Sequence, residues 1–213
     1  MPDNDLNWAD TSRVEAWAGE LRVNLVRMIA LVIFYARHLI EYWLGGSGSP
    51  FRGVYHARVT WIVIAWAVMA IIMHLRLSRR HYHDWTKYLA VGWDCVMVVA
   101  LCAIAGGPKT SLVLLLFPIV ASAALRLSLK LVYFATACAM SAYLILLGMY
   151  VWYVVGFHKY YATPELRIPR RDEAIVLLSL LVTGLFAGQT VRQMKRLAQR
   201  AEVAIAPVTT EGA

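Results

Sequence analysis

Charge is scarce in this chain of 213 residues: Asp, Glu, Lys and Arg make up only 16%, against about a quarter in soluble domains. Hydrophobic residues account for 60%, and the mean hydropathy is +0.57. A folded sphere of this length cannot hide so much apolar surface from water. A soluble enzyme, a secreted disulfide scaffold and a disordered tail are thereby excluded. Cysteine is scarce too. Cys95, Cys102 and Cys138 lie inside apolar stretches and form no CxxC pair, so they read as small buried hydrophobes rather than a redox or zinc set. P-loop, HExxH and Asp-rich phosphotransferase patterns are likewise missing. An export signal is not seen either, because Met1 to Glu20 is polar and acidic, without a basic start and short apolar core.

What the chain does have is six apolar blocks, each about long enough to cross a hydrocarbon layer of ~30 Å. They run over about 23–44, 57–75, 88–105, 111–127, 131–157 and 174–191. The first ends in the loop 45–50, rich in Gly and Ser, and the third at Gly106-Gly107-Pro108, a strong breaker. Pro118 should kink the fourth, which is short and close enough to the fifth that the two could form a re-entrant pair. Ahead of the blocks, Ser12 and Glu15 make a capping box, and Val14, Trp17, Leu21 and Leu25 repeat along one face. With Trp8 and Trp17 at headgroup level, this is expected to be an amphipathic interfacial helix. The expected fold is all-α, a polytopic bundle of six transmembrane helices. It divides into a cytoplasmic amphipathic segment (1–22), the membrane domain (23–191) and a short basic tail (192–213).

The net charge of +8 sits in the loops, where it orients helices and meets anionic lipid rather than nucleic acid. Arg76, Arg79, Arg80 and Lys87 separate blocks two and three, Arg126 and Lys130 separate four and five, and Arg192, Lys195, Arg196 and Arg200 follow the sixth. On the alternate side, Glu165, Asp172 and Glu173 nearly balance the basic residues of the last loop. Both termini are therefore expected in the cytoplasm, with the chain in a bacterial inner membrane.

Ionisable groups at membrane depth must be paired, hydrated or functional. Asp94 lies about two turns into the third block and Arg27 at a similar depth in the first, which makes them candidates for an intramembrane ion pair. Near the outer end of the first block, Arg37 and Glu41 share a helix face, with His38 on the next. These three and the Gly106-Gly107 loop reach the same side and form the candidate ligand pocket. Haem and metal are disfavoured: His38 and His74 lie near opposite faces, and nothing fixes how His56 and His158 would face His38. His81 and His83 sit in a basic loop without carboxylate or thiolate support. Gly45-Gly46-Ser47-Gly48 has the GxSG form of an intramembrane serine protease, but the serine is in a loop and the sixth block offers no histidine as base. The chain reads as non-enzymatic. Ala135, Ala139, Ala142, Gly184, Ala187 and Gly188 are the small residues expected at close helix contacts.

From the third block onward a run of residues is distinctive: Asp94-Cys95-Val96-Met97-Val98-Val99-Ala100-Leu101, then Ala105-Gly106-Gly107, Ser111, Phe117-Pro118-Ile119-Val120 and Ala123-Ala124-Leu125-Arg126-Leu127. This resembles the six-span N-terminal membrane domain of bacterial sensor histidine kinases, the RegB-like redox sensors and PilS-like pilus regulators. The resemblance covers about 22–200 in topology and 94–130 in residues. It implies a membrane sensor, with quinone as the candidate ligand from the RegB-like class. There the Gly-Gly loop continues into Asn-Pro-Phe, whereas here it reads Gly106-Gly107-Pro108-Lys109-Thr110-Ser111-Leu112. A phosphoacceptor helix and ATP-binding domain would follow the basic helix at Arg192, Lys195, Arg196 and Arg200, but the sequence ends at Ala213.

The expected function is thus a non-catalytic sensor or anchor domain that signals through its basic tail to a separate protein partner, with membrane lipid and a second copy as further partners. An accessory subunit of a respiratory or photosynthetic complex is the alternative, which the eight Trp and 11 Tyr would also suit.

Overall fold

The computed structural model describes residues 3–44, 50–79, 85–157, 160, 163 and 168–205. The Gly/Ser loop at 45–49, His81, His83, His158, Glu165 and the last eight residues of the expected tail lie outside the described residues. So do the side chains of Trp8, Ser12, Val14 and Glu15. Helices fill almost all of the described chain: α1 (Asp3–Leu44), α2 (Pro50–Ser78), α3 (Thr86–Ile104), α4 (Leu116–Ala124), α5 (Leu129–Met149) and α6 (Arg170–Ile205). Two 3-10 turns, Gly107–Lys109 and Ser111–Leu115, precede α4, and a π-helical stretch, Tyr150–Val155, extends α5.

Neither expected boundary at the ends of the membrane domain interrupts a helix. Helix α1 is already formed at Asp3, so Ser12 lies inside it rather than capping its start. Likewise α6 runs through Val191 and Arg192 without a break. Trp17, expected at headgroup level, donates its indole N–H to the Leu77 carbonyl at 2.7 Å and fastens α1 to the end of α2.

Among the described residues five helices are long and apolar enough to cross a membrane, and the fourth apolar block forms a shorter helical segment, Ser111–Ala124. At about 2.0 Å per 3-10 residue and 1.5 Å per α residue it is about 24 Å long. Its ends nevertheless match those of its neighbours. Arg126, just past α4, reaches the Lys87 carbonyl at the start of α3, while Gly107, just before the 3-10 turns, lies against Tyr150 at the end of α5. The segment therefore runs the full depth of α3 and α5 in the opposite sense to both, which removes the re-entrant alternative. Pro118 does not kink a long helix. It follows directly on the change from 3-10 to α geometry, where its missing N–H is least costly.

Helix α5 is the centre of the core, packed against α3, α4 and α6. Leu131, Val132, Ala135 and Ala139 on it are fully buried. The small residues act as expected: a Cβ at Gly184 of α6 would overlap the Thr136 side chain, and Gly188 lies against the Tyr133 ring. By contrast α1 packs chiefly on α2, and its outer residues such as Val32 and Ile33 are exposed, as a lipid-facing surface requires. Glu20, Leu77, Lys87, Arg126 and Arg192 lie at one end of the bundle, called here the terminal face. Glu41, Gly107 and Tyr150 lie at the other, the far face.

Candidate functional site

The polar residues of α1 are not scattered. Glu20, Asn24, Arg27, Tyr35 and His38 fall three, four or eight apart, a single stripe on a helix of 3.6 residues per turn. The stripe turns inward. Asn24 is 2% exposed and donates its amide N–H to the Ala70 carbonyl at 3.1 Å. Its side-chain oxygen accepts from Arg27 Nη1 at 3.0 Å. Arg27 in turn donates from Nε at 3.0 Å and Nη2 at 2.7 Å to Oδ2 of Asp94 on α3. The other oxygen of Asp94 accepts from Trp66 Nε1 on α2 at 2.8 Å. Three helices thus meet at one carboxylate whose side chain is only 10% exposed, and the polar side chains of Asn24, Arg27, Trp66 and Asp94 all find partners in one another or in the backbone.

A second ion pair lies nearer the terminal face. Arg126 Nε approaches Glu20 Oε2 at 3.1 Å, with side chains 4% and 5% exposed. The turn that carries Arg126 is tight, and Leu127 within it adopts a positive φ of 50°, a conformation costly for a branched side chain. Toward the far face the stripe continues as hydrogen bonds to α2. The Tyr35 hydroxyl pairs with Thr60 Oγ1 at 3.1 Å, and His38 Nε2 with His56 Nδ1 at 3.1 Å. Tyr42 stacks on His56 with centroids 4.1 Å apart. Arg37 and Glu41 form the expected i, i+4 pair at 2.8 Å, well exposed on both sides.

Between α1 and α2 on one side and α3 and α4 on the other lies a cavity of about 480 Å³, within the range of small-molecule pockets. Arg27, Asp94 and Trp66 lie at one end; Arg37, His38, Glu41 and Tyr55 lie at the other. The walls between are apolar, including Leu31, Phe34, Val59, Val63, Leu115 and Ile119. From Val23 to Glu41 the lining follows α1 for about 27 Å. Each charged group on the lining has an opposite charge beside it, Arg27 with Asp94 and Arg37 with Glu41.

The structure thus brings Arg27, Asp94, Arg37, His38 and Glu41 to one cavity. Gly106 and Gly107 are close by but outside its lining, where Ala105, Thr110, Ser111 and Leu112 stand instead. Their role is in the turn: φ is 109° at Gly106 and 78° at Gly107, and a Cβ at Gly107 would come within 2.5 Å of the Tyr150 ring. Arg192, Lys195, Arg196 and Arg200 are exposed on α6, Arg192 donating to the Tyr133 hydroxyl at 2.9 Å. Sequence reasoning missed Asn24, Trp66, Thr60 and the partner of Glu20. The stripe on α1 was a usable signal for the first, and an indole N–H at membrane depth, a group that most often pairs with an acceptor, for the second. Among the described residues no group of three or more His, Cys, Asp or Glu is placed to hold a metal ion.

Compared with known families, the chain matches the model of the PilS-like transmembrane domain over residues 20–204. No curated protein and no solved structure matches.

Proposed function

The chain belongs to the PilS-like transmembrane domain family, and we propose that it is the input unit of a membrane sensor, taking up a lipophilic ligand from the bilayer. The observation that carries this reading is the cavity together with the position of α4. Leu115, Pro118, Ile119 and Ser122 face the cavity, while Leu116, Val120 and Ala123 on the same stretch are buried and α4 packs against both α5 and α6. A molecule filling the cavity would press on one face of α4, and α4 would press on the helix that leaves the membrane. Arg192, Lys195, Arg196 and Arg200 form the basic surface that hands the change to a separate protein, with a second copy of the chain as a further partner.

Charge balance along the lining favours an uncharged head, because a charged one would find no free counter-ion. A quinone has that chemistry: a neutral head with two acceptor oxygens and an apolar tail. The basic residues gathered at the terminal face support an orientation with that face in the cytoplasm, in a bacterial inner membrane. On this reading 1–22 and 192–213 are the cytoplasmic portions flanking the membrane domain.

The test uses decylubiquinone as probe and the full chain in nanodiscs. At a hundredfold excess over its Kd, a ligand adds about 2.7 kcal/mol to stability, or about 5–10 °C in melting temperature for a chain of this size. Val63→Trp, which fills the cavity, should abolish the shift. An equal shift in the filled variant would place the quinone elsewhere, and no shift in either would refute quinone as the ligand.

A further inference from the structure

His38 and His56 are the only hydrogen-bonded pair of titratable rings among the described contacts, and their geometry distinguishes two uses. Two imidazoles that ligate one ion direct their lone pairs at a common point beside both rings. Here the rings are nearly parallel, 17° apart, with centroids 5.2 Å apart and the nitrogens 3.1 Å apart. That separation is what two rings in line give when the nitrogens face each other across a hydrogen. The pair is built to share a proton, not a metal.

The surroundings hold this geometry. Tyr42 stacks on His56, and Tyr55 and Tyr35 flank the His38 ring. Thr60 donates to the His56 carbonyl while pairing with the Tyr35 hydroxyl. From α1, Arg37 and Glu41 line the same end of the cavity, and they are paired with each other. Across the cavity the lining from α3 to the 3-10 turns is Asp94, engaged by Arg27 at the other end, then Leu101, Ala105, Thr110, Ser111, Leu112 and Leu115, none of the last six titratable.

We propose that His38 and His56 are a proton-operated catch on the seam between α1 and α2, at the far end of the cavity. With the pair neutral or singly charged, one facing nitrogen carries the hydrogen and the other supplies the lone pair, so the seam is closed. A second added proton occupies that lone pair. The hydrogen bond is lost, two positive charges face each other, and the wall formed by α1 and α2 parts. The device uses only protons from the far face, and it opens on the acid side, once both imidazoles carry charge. It stands independently of which ligand the cavity takes.

Spin labels at Ile40→Cys and Ala57→Cys, both exposed positions on the two helices, report the seam by electron–electron distance. The measurement is made in nanodiscs with the three native cysteines replaced. Between pH 7.5 and pH 4 the distance should lengthen by about 2 Å or more, the scale of helix shifts in switching proteins. In His38→Gln/His56→Gln, which can keep an uncharged hydrogen bond, it should stay at the short value at both pH values. Thermal melting of the double variant confirms that it is folded, and His56→Gln alone provides a second folded control. An unchanged distance in the parent protein overturns the proposal. So does an acid-induced change that persists undiminished in the Gln variants, since another group would then be responsible.

Discussion

Replacing Asp94 with asparagine removes one negative charge and almost no volume, which isolates the electrostatics of the network below the cavity. Asp94 accepts two hydrogen bonds from Arg27 and one from Trp66, at 2.7 to 3.0 Å, and both ion-pair side chains are only 10% exposed. Hydrogen bonds to a charged group contribute about 1.5–3 kcal/mol each, and breaking a buried pair by removing one partner costs about 3–5 kcal/mol. Asparagine keeps one acceptor oxygen, so the lower end applies, about 3 kcal/mol. Arg27 would retain Asn24 but lose its counter-ion. At about 2–4 °C per kcal/mol for a chain of this length, the melting temperature in nanodiscs should fall by about 6–12 °C. Arg37→Ala provides the contrast. Its pair with Glu41 is 71% and 59% exposed, and a solvated pair contributes about 0–1 kcal/mol. Differential scanning fluorimetry of the two variants side by side gives the comparison. If Asp94→Asn melted within 2 °C of the parent protein, the pair would be hydrated through the cavity and the claim of a buried, load-sharing network would be wrong.

Two further perturbations follow from the packing. Glu20→Gln should cost about 3 kcal/mol by leaving the nearly inaccessible Arg126 guanidinium without its carboxylate, and limited proteolysis at the terminal face should show α1 loosened from the turn after α4. Gly184→Ala should destabilise by about 1–3 kcal/mol because its new methyl overlaps Thr136; adding Thr136→Ala should recover part of that loss in the same melting assay.

How much of this was legible in the sequence depended on whether the signal was local. Apolar blocks of spanning length are local, and all six became helical segments of the bundle, five of them of spanning length and the fourth shorter. Asp94 and Arg27 were matched by depth, which follows from counting residues inward from each block's end. Depth does not give azimuth, however. The same count left His38 and His56 near one face without saying that their rings would meet. Glu20 was read as part of a surface segment because its sequence neighbours are polar. It is buried because Arg126, more than 100 positions away, turns inward against it, and a pairing that distant leaves no local trace. The cavity was legible only as a cluster of polar residues at one mouth, since empty space between helices has no periodicity.

The two buried ion pairs also explain how a cavity survives in a bundle that otherwise packs closely. Helix α1 rests mainly on α2, and its charged ties to the other helices, Glu20 with Arg126 and Arg27 with Asp94, both fall in its terminal half. Past Arg27 its polar side chains bond to α2 instead, through Tyr35 and His38, and α4 is met only across the cavity. A helix clamped at one end and resting mainly on one neighbour at the other is the wall that a ligand can displace at least cost, since Leu31 alone of its free half belongs to the buried core. Were the charge pairs spread evenly along α1, filling the cavity would strain all of them together. Concentrated at the terminal face, they make a fixed point about which the far half can move. The Glu20–Arg126 pair then ties that fixed point to the turn joining α4 and α5, the two helices against which α6 is packed.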